Sequence, residues 1–250
     1  MDLGLEGRVA LVTGGSKGIG LGIATALAAE GARVAVASRT QEAVEAAAEQ
    51  IGGQGFVFDS GDLDAIPGLL DGVESALGPI DIYIANTGGP PPNQDPLGFT
   101  REEWQAAHRT LVLSPMTNLQ RLLPQMAERG WGRVVAVQSS AVLEPVPNLQ
   151  LSNAHRPGVV AGFKVLAKQY AADGITINTV HPGRIATDRM IDTAGSREAA
   201  EEMARETIPA GRLGEAADMG AAAAFLCSEP AGYITGITLL VDGGLTAGVY

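Results

Sequence analysis

The stretch "RVALVTGGSKGIGLGIATALAAEGARVAVASR", residues 8–39, decides the fold. A short apolar run ends in a glycine-rich turn. An alanine-rich helical pattern follows, closed by Gly31, and "RVAVASR" (33–39) returns to an apolar, β-type run. Strand, turn, helix and strand make one βαβ unit, because parallel neighbours need a crossover between them. Neither strand alternates strictly between apolar and polar residues, which marks a parallel sheet covered on both faces.

The same alternation runs through the rest of the chain. Helical patterns fall at 41–53, 62–77, 101–129, from Ser152 onward and at about 215–228. Strand patterns fall at 55–60, 80–86, 132–140, 175–183 and 237–244. No linker rich in Pro, Gly or Ser and no internal repeat interrupts them. The expectation is a Rossmann-type doubly wound α/β fold: a seven-stranded parallel sheet in a three-layer αβα sandwich, with residues 1–250 as one dinucleotide-binding domain. Its crevice should lie at the carboxyl ends of the strands.

Composition narrows the function. A net charge of −11 argues against nucleic acid and against anionic membrane surfaces. No run reaches the roughly 18 apolar residues of a membrane helix. The first residues, "MDLGLEGR", do not read as a signal peptide. Cys227 is the only cysteine, so no internal disulfide forms and a reducing, cytoplasmic setting is expected. No metal site is expected.

"VTGGSKGIG" (12–20) places Gly14, Gly18 and Gly20 between the first strand and the first helix. Such glycines permit a tight turn, a close approach of backbone to phosphate, and close helix–strand packing. The helix amino end then offers free N–H groups to a pyrophosphate, with Ser16, Lys17 and Ile19 in the same loop. An acid after the second strand would take the ribose 2′-hydroxyl of NAD. Ser38 and Arg39 stand there instead, and with Lys17 they suit a 2′-phosphate. NADP(H) is therefore expected over NAD(H).

With these pieces the chain resembles the short-chain dehydrogenase/reductase family, most closely its 3-oxoacyl-[acyl-carrier-protein] reductase-like members. The resemblance rests on "TGGSKGIG" (13–20), Asp59, "ANTGG" (85–89), "GRVVAVQSS" (132–140), "HPGRIAT" (181–187) and "GRLGEAADMGAAAAFLCSEPAGYITGITLLVDGG" (211–244). It implies that Asp59 holds the adenine and that Asn86 and Gly88 line the cofactor, although Asn86 has a plain structural use tying two strands. It implies further that Pro182, Gly183, Ile185 and Thr187 hold the nicotinamide end, and that 188–212 is a substrate lid. Ser139 falls on the family's catalytic serine.

The family's other catalytic positions are altered. Its Tyr-x-x-x-Lys pair falls on Ser152 and Arg156, and its helix asparagine falls on Leu111. An aliphatic hydroxyl is far less acidic than a phenol, so Ser152 is a poor proton donor, and its expected part is to cap the helix and line the pocket. Pro157 suits an early helical position. Arg156 stays charged, so it can grip ribose hydroxyls and stabilise an alkoxide without relaying protons. The catalytic set is then Ser139, Ser152 and Arg156, with the proton from water, His155 or His181.

The leading reading is hydride transfer between the nicotinamide and a carbonyl or secondary alcohol. The alternative is a dinucleotide-binding sensor or assembly protein with little or no turnover. A homotetramer is expected, from excess apolar surface on the helices at 101–129 and 153–173 and from the apolar C-terminal "ITLLVDGGLTAGVY". Arg129 and Arg133 are the candidates for basic surface beside the crevice, which an acyl-carrier partner would need.

Overall fold

The computed structural model describes residues 1–248. Its seven parallel strands are β1 (Val9–Thr13), β2 (Arg33–Ser38), β3 (Gln54–Val57), β4 (Ile82–Ala85), β5 (Gly132–Val137), β6 (Ile175–Pro182) and β7 (Thr238–Val241). Their order in the sheet is β3-β2-β1-β4-β5-β6-β7. The connections reverse direction between β1 and β4, and that switch point opens the crevice at the carboxyl ends of those two strands.

The apolar strands sort their side chains by parity. In β1, Val9 and Leu11 join one core cluster while Ala10 and Val12 join the other. In β5, Val134 and Ala136 face the first cluster, and Val135 and Val137 the second. Both faces are dry, which is why the runs are unbroken in sequence.

One face is covered by α3 (Ile66–Leu77), α5 (Ser114–Arg129) and α6 (Gln150–Tyr170), through residues such as Leu70, Leu122 and Phe163. The other is covered by α1 (Gly18–Ala29), α2 (Gln41–Ile51) and α9 (Ala216–Cys227), through Ile23, Ala47 and Met219. This three-layer arrangement is the expected one. Helices α1 and α9 cross closely: a Cβ on Gly220 would lie 2.5 Å from the Gly22 carbonyl oxygen. Cys227 is buried in that layer, and burial pushes its thiol up to about 12. No helix among the described residues is long and apolar enough to cross a membrane.

Three local expectations need correction. The helix predicted over 101–129 is α4 (Arg101–His108) joined to α5 by a π-helical turn at Arg109–Leu113. The Thr110 hydroxyl donates to the Ala106 carbonyl at 3.0 Å, back-bonding of the kind that bends helices. Helix α6 opens at Gln150 with Leu149 before it, so Ser152 lies in its first turn and does not cap it. The entry is set by Asn153, whose side chain brackets Val146: Nδ2 donates to its carbonyl at 2.9 Å and Oδ1 accepts from its amide at 3.2 Å. Pro157 accordingly sits inside the helix, past its first turn.

The segment after β6 folds as α7 (Asp188–Ala194) and α8 (Arg197–Thr207). Ala200, Ala204, Ile208 and Leu213 make a small separate core there.

Candidate active site

A cleft of about 410 Å³ lies at the switch point. The first glycine turn forms one wall. Gly14 has φ +58°, and a Cβ there would sit 2.7 Å from the Asn86 carbonyl oxygen, so the position excludes other residues. Gly18 also has positive φ, at +54°. A Cβ on Gly20 would collide with the Gly14 carbonyl. Lys17 begins α1 without a side-chain cap, and the first turn holds no acid. The helix therefore presents open N–H groups and the positive end of its dipole to the cleft. These features fit a dinucleotide pyrophosphate.

Asn86 holds the wall in place. Its Nδ2 donates to the Gly14 carbonyl at 2.9 Å and to the Thr13 carbonyl at 3.3 Å, tying the end of β4 to the glycine turn. The Ser16 hydroxyl donates to Ser38 Oγ at 2.8 Å, pinning the same turn to the end of β2. Arg39 and Asp59 line the cleft beyond, with Ile19, Gly88 and Thr187. Lys17 also lines the cleft, and its Nζ is 3.5 Å from Asp188 at the start of α7, a largely exposed pair of small energetic weight.

Sequence reasoning missed several wall residues, including Phe58, Thr87, Thr110 and Arg189. Thr110 is brought in by the π turn, which no pattern of apolar spacing announces. Arg189 donates to the carbonyls of Gly89 (2.7 Å) and Pro90 (2.6 Å), fastening α7 to the proline loop across the crevice. Pro182, Gly183 and Ile185 do not line the cleft. Gly183 is packed against Asp242, where a Cβ would lie 2.7 Å from its Cα, and Ile185 is buried.

Ser139, Ser152 and Arg156 do not line this cleft: Ser139 follows β5, the strand next to β4, and Arg156 reaches the end of that strand from α6, one turn after Ser152. Ser139 follows β5 and heads a 3-10 turn; its Oγ accepts from the Ala141 amide at 3.1 Å, leaving the hydroxyl proton to donate elsewhere. Arg156 is 6 % exposed. Its Nη1 donates to the Val137 carbonyl (3.2 Å) and Gln138 Oε1 (3.3 Å), while Nε is buried with no partner. Burial, and then the charge of Arg189, push its pKa down to about 10. Ser152 is buried and its hydroxyl makes no hydrogen bond among the described residues. Leu111 is buried in the π turn.

The two histidines separate. His155 turns toward α4: its Nδ1 donates to the Leu151 carbonyl at 2.7 Å, and its ring lies 5.5 Å from Trp104 and 5.6 Å from His108. His181 is fully buried beneath the site, with Nε2 2.9 Å from Thr179 Oγ1 and Nδ1 unpartnered. Burial and the Arg156 charge push it down to about 4, against a smaller opposing pull from the Ser139 backbone. It is neutral near pH 7 and a poor acid there.

Arg129 and Arg133 stand at the opposite ends of the strands from the crevice. Arg129 donates to the Ile80 carbonyl at 2.6 Å, and Arg133 is 3 % exposed. Neither gives the crevice a basic rim.

The chain belongs to the short-chain dehydrogenase/reductase family, a family of oxidoreductases: the family described as Enoyl-(Acyl carrier protein) reductase matches residues 14–246. Among its relatives, the chain is 38 % identical over 243 residues to the 3-oxoacyl-[acyl-carrier-protein] reductase FabG of Haemophilus influenzae, covering 96 % of this chain and 99 % of that protein. The L-sorbose reductase of Gluconobacter frateurii, solved with NADPH and L-sorbose, superposes with a TM-score of 0.91 at 29 % identity, covering 100 % of both chains. A 3-oxoacyl (acyl-carrier-protein) reductase from Agrobacterium tumefaciens, solved with NADP bound, has a TM-score of 0.90 at 32 % identity, covering 97 % of this chain and 96 % of that one.

Proposed function

We propose that the chain is an NADP(H)-dependent oxidoreductase that transfers hydride between the nicotinamide and a carbonyl or secondary alcohol. The observation that carries this reading is the cleft itself, a glycine cradle and an open helix end whose far rim at β2 bears Ser38 and Arg39 and no acid. Lys17 pairs with Asp188 only at the exposed surface and is free to turn to a 2′-phosphate. NADPH and NADP in the solved relatives support the same choice of cofactor.

The bound dihydronicotinamide would supply the hydride. The free hydroxyl proton of Ser139 would donate to the substrate oxygen, and Arg156 would offset the negative charge that develops on it. Water would supply the proton, since Ser152 is a weak acid, His155 faces α4 and His181 is neutral. Turnover should then be slow, because a positioned general acid is typically worth about 10²–10⁴-fold. Helices α7 and α8 would act as the lid over 188–212, held to the proline loop by Arg189.

A homotetramer fits the edge strand β7, one residue beyond the 37 % exposed Ile237, and Val165 of α6, which is 63 % exposed. Of the apolar C-terminal segment, residues 249–250 lie outside the described residues.

The replacement of the family's tyrosine and lysine by Ser152 and Arg156 favours a second reading, a dinucleotide-binding protein with little turnover. A carbonyl panel with NADPH and with NADH, run beside Arg156→Ala, separates the two. Turnover above the Arg156→Ala background supports the enzyme; tight NADPH binding without turnover supports the alternative.

A further inference from the structure

Arg189, on the lid, reaches across the cofactor cleft. The start of α7 rests on the glycine turn: a Cβ on Gly18 would lie 3.2 Å from the Thr187 γ-methyl, and Asp188 pairs with Lys17. One residue on, the Arg189 guanidinium meets the opposite wall, donating from Nη1 to the Gly89 carbonyl and from Nη2 to the Pro90 carbonyl. A Cβ on Gly89 would sit 2.6 Å from Nη1, so glycine there is what lets the guanidinium lie against the backbone. Thr187, Asp188 and Arg189 all line the cleft, and they span it from the amino end of α1 to the loop after β4.

This guanidinium has donors to spare. Two of its five N–H bonds are used, both on neutral carbonyls. It has no carboxylate within 4.0 Å among the described residues. The two acids of the cleft are engaged elsewhere, Asp188 with Lys17 and Asp59 with the Gly61 amide at 2.8 Å. A dinucleotide diphosphate carries two negative charges, while the open end of α1 is worth about half a positive charge. Lys17 and Arg39 serve the 2′-phosphate in the reading above. Arg189 is the remaining cation that lines the cleft.

We propose that Arg189 is a cofactor-holding residue: its spare N–H bonds donate to the diphosphate of the dinucleotide, while the other two keep the Gly89 and Pro90 carbonyls. Bonds from guanidinium to phosphate are charge-assisted on both sides, so they are the stronger set. The lid and the proline loop are then braced through the cofactor. The inference rests on the dinucleotide reading above and adds a binding residue to it. It also divides the cations of the cleft by task. Lys17 and Arg39 face the group that separates NADP(H) from NAD(H), whereas Arg189 holds a group that both cofactors share.

The test is calorimetry on the full chain, wild type and Arg189→Gln, with NADPH, NADH and adenosine 2′-monophosphate. The last has the adenine and the 2′-phosphate but no diphosphate. Arg189→Gln should weaken NADPH and NADH by the same factor, roughly tenfold or more, since hydrogen bonds to charged groups carry that much. It should leave adenosine 2′-monophosphate unchanged. Arg189→Lys keeps the charge without the fork and should keep part of the affinity. Three results would overturn the inference: no loss with either dinucleotide, a loss confined to NADPH, or an equal loss with adenosine 2′-monophosphate, which would make Arg189 a support of the cleft wall alone. Wild type that binds NADPH and NADH equally removes the NADP(H) preference and leaves Arg189 in place. Wild type that binds neither removes the dinucleotide reading and Arg189 with it. Wild type that binds both, with no response to Arg189→Gln, removes only the assignment of Arg189.

Discussion

A buried arginine stands at each end of strand β5, Arg133 within its amino end and Arg156 reaching its carboxyl end from α6, and the two are treated differently by the fold. Arg133, at the amino end, donates to the carbonyls of Gly132 (2.9 Å), Gly174 (3.1 Å) and Ser228 (3.2 Å). It stacks on Trp131 with its guanidinium carbon 4.3 Å from the ring centroid, and Glu229 lies 3.9 Å away. Arg156, at the carboxyl end, has two acceptors on one nitrogen, an unpartnered Nε, and a second cation, Arg189, acting on its charge. Burial lowers the pKa of both, but only Arg133 has a carboxylate raising it again. A cation sealed among acceptors stabilises a structure, whereas one left short of partners stores unfavourable energy that a ligand can release. The contrast makes Arg133 part of the scaffold and leaves Arg156 as the candidate for a site role.

The largest expected effect is on the scaffold side. Arg133→Met should cost about 3 kcal/mol of unfolding free energy, because it strands three carbonyls and removes the stacking on Trp131. Urea denaturation measures it, and NADPH affinity of the folded variant should match wild type.

A pH effect of similar size belongs to His181. Its folded pKa, about 4, lies below the unfolded value of 6.5. The unfolded state therefore binds the extra proton between those values. Stability should be complete above pH 6.5 and fall by roughly 3 kcal/mol as pH drops to 4. Urea midpoints across this window check it, and His181→Gln should flatten the His181 share of the slope.

Smaller again is the cofactor effect. Arg39→Asp should weaken NADPH binding by roughly tenfold or more and leave NADH binding unchanged or improved, by loss of a charge-assisted contact to the 2′-phosphate. Calorimetry with both cofactors reads it.

The fold was legible in the sequence because apolar runs and glycine punctuation report directly on a two-faced parallel sheet. The glycine turn, the end of β2 and Asn86 were legible for the same reason: each stands at a strand end that periodicity locates. Three features escaped. The π turn at Arg109–Leu113 keeps helical spacing on both sides, so Thr110's place in the cleft left no trace. The start of α6 is fixed by Asn153 reaching back to Val146, a contact that no local propensity encodes. Arg133 reads as a surface cation by residue type, and only the strand register places it among the carbonyls of neighbouring segments. The same limit applies to His155, whose spacing from Ser152 pointed to the site while Trp104 and His108 hold it elsewhere.

The central claim is that Arg156 is kept under-partnered for a ligand, at some cost to the folded state, and one measurement addresses it directly. Unfolding free energy of Arg156→Met should be compared with wild type without cofactor or substrate at pH 7.5. The account predicts stability unchanged or raised by about 1 kcal/mol, since an apolar chain of similar length fills the site without a buried unpaired charge. A loss of about 2 kcal/mol or more would show that Arg156, like Arg133, is part of the scaffold, and would contradict the account.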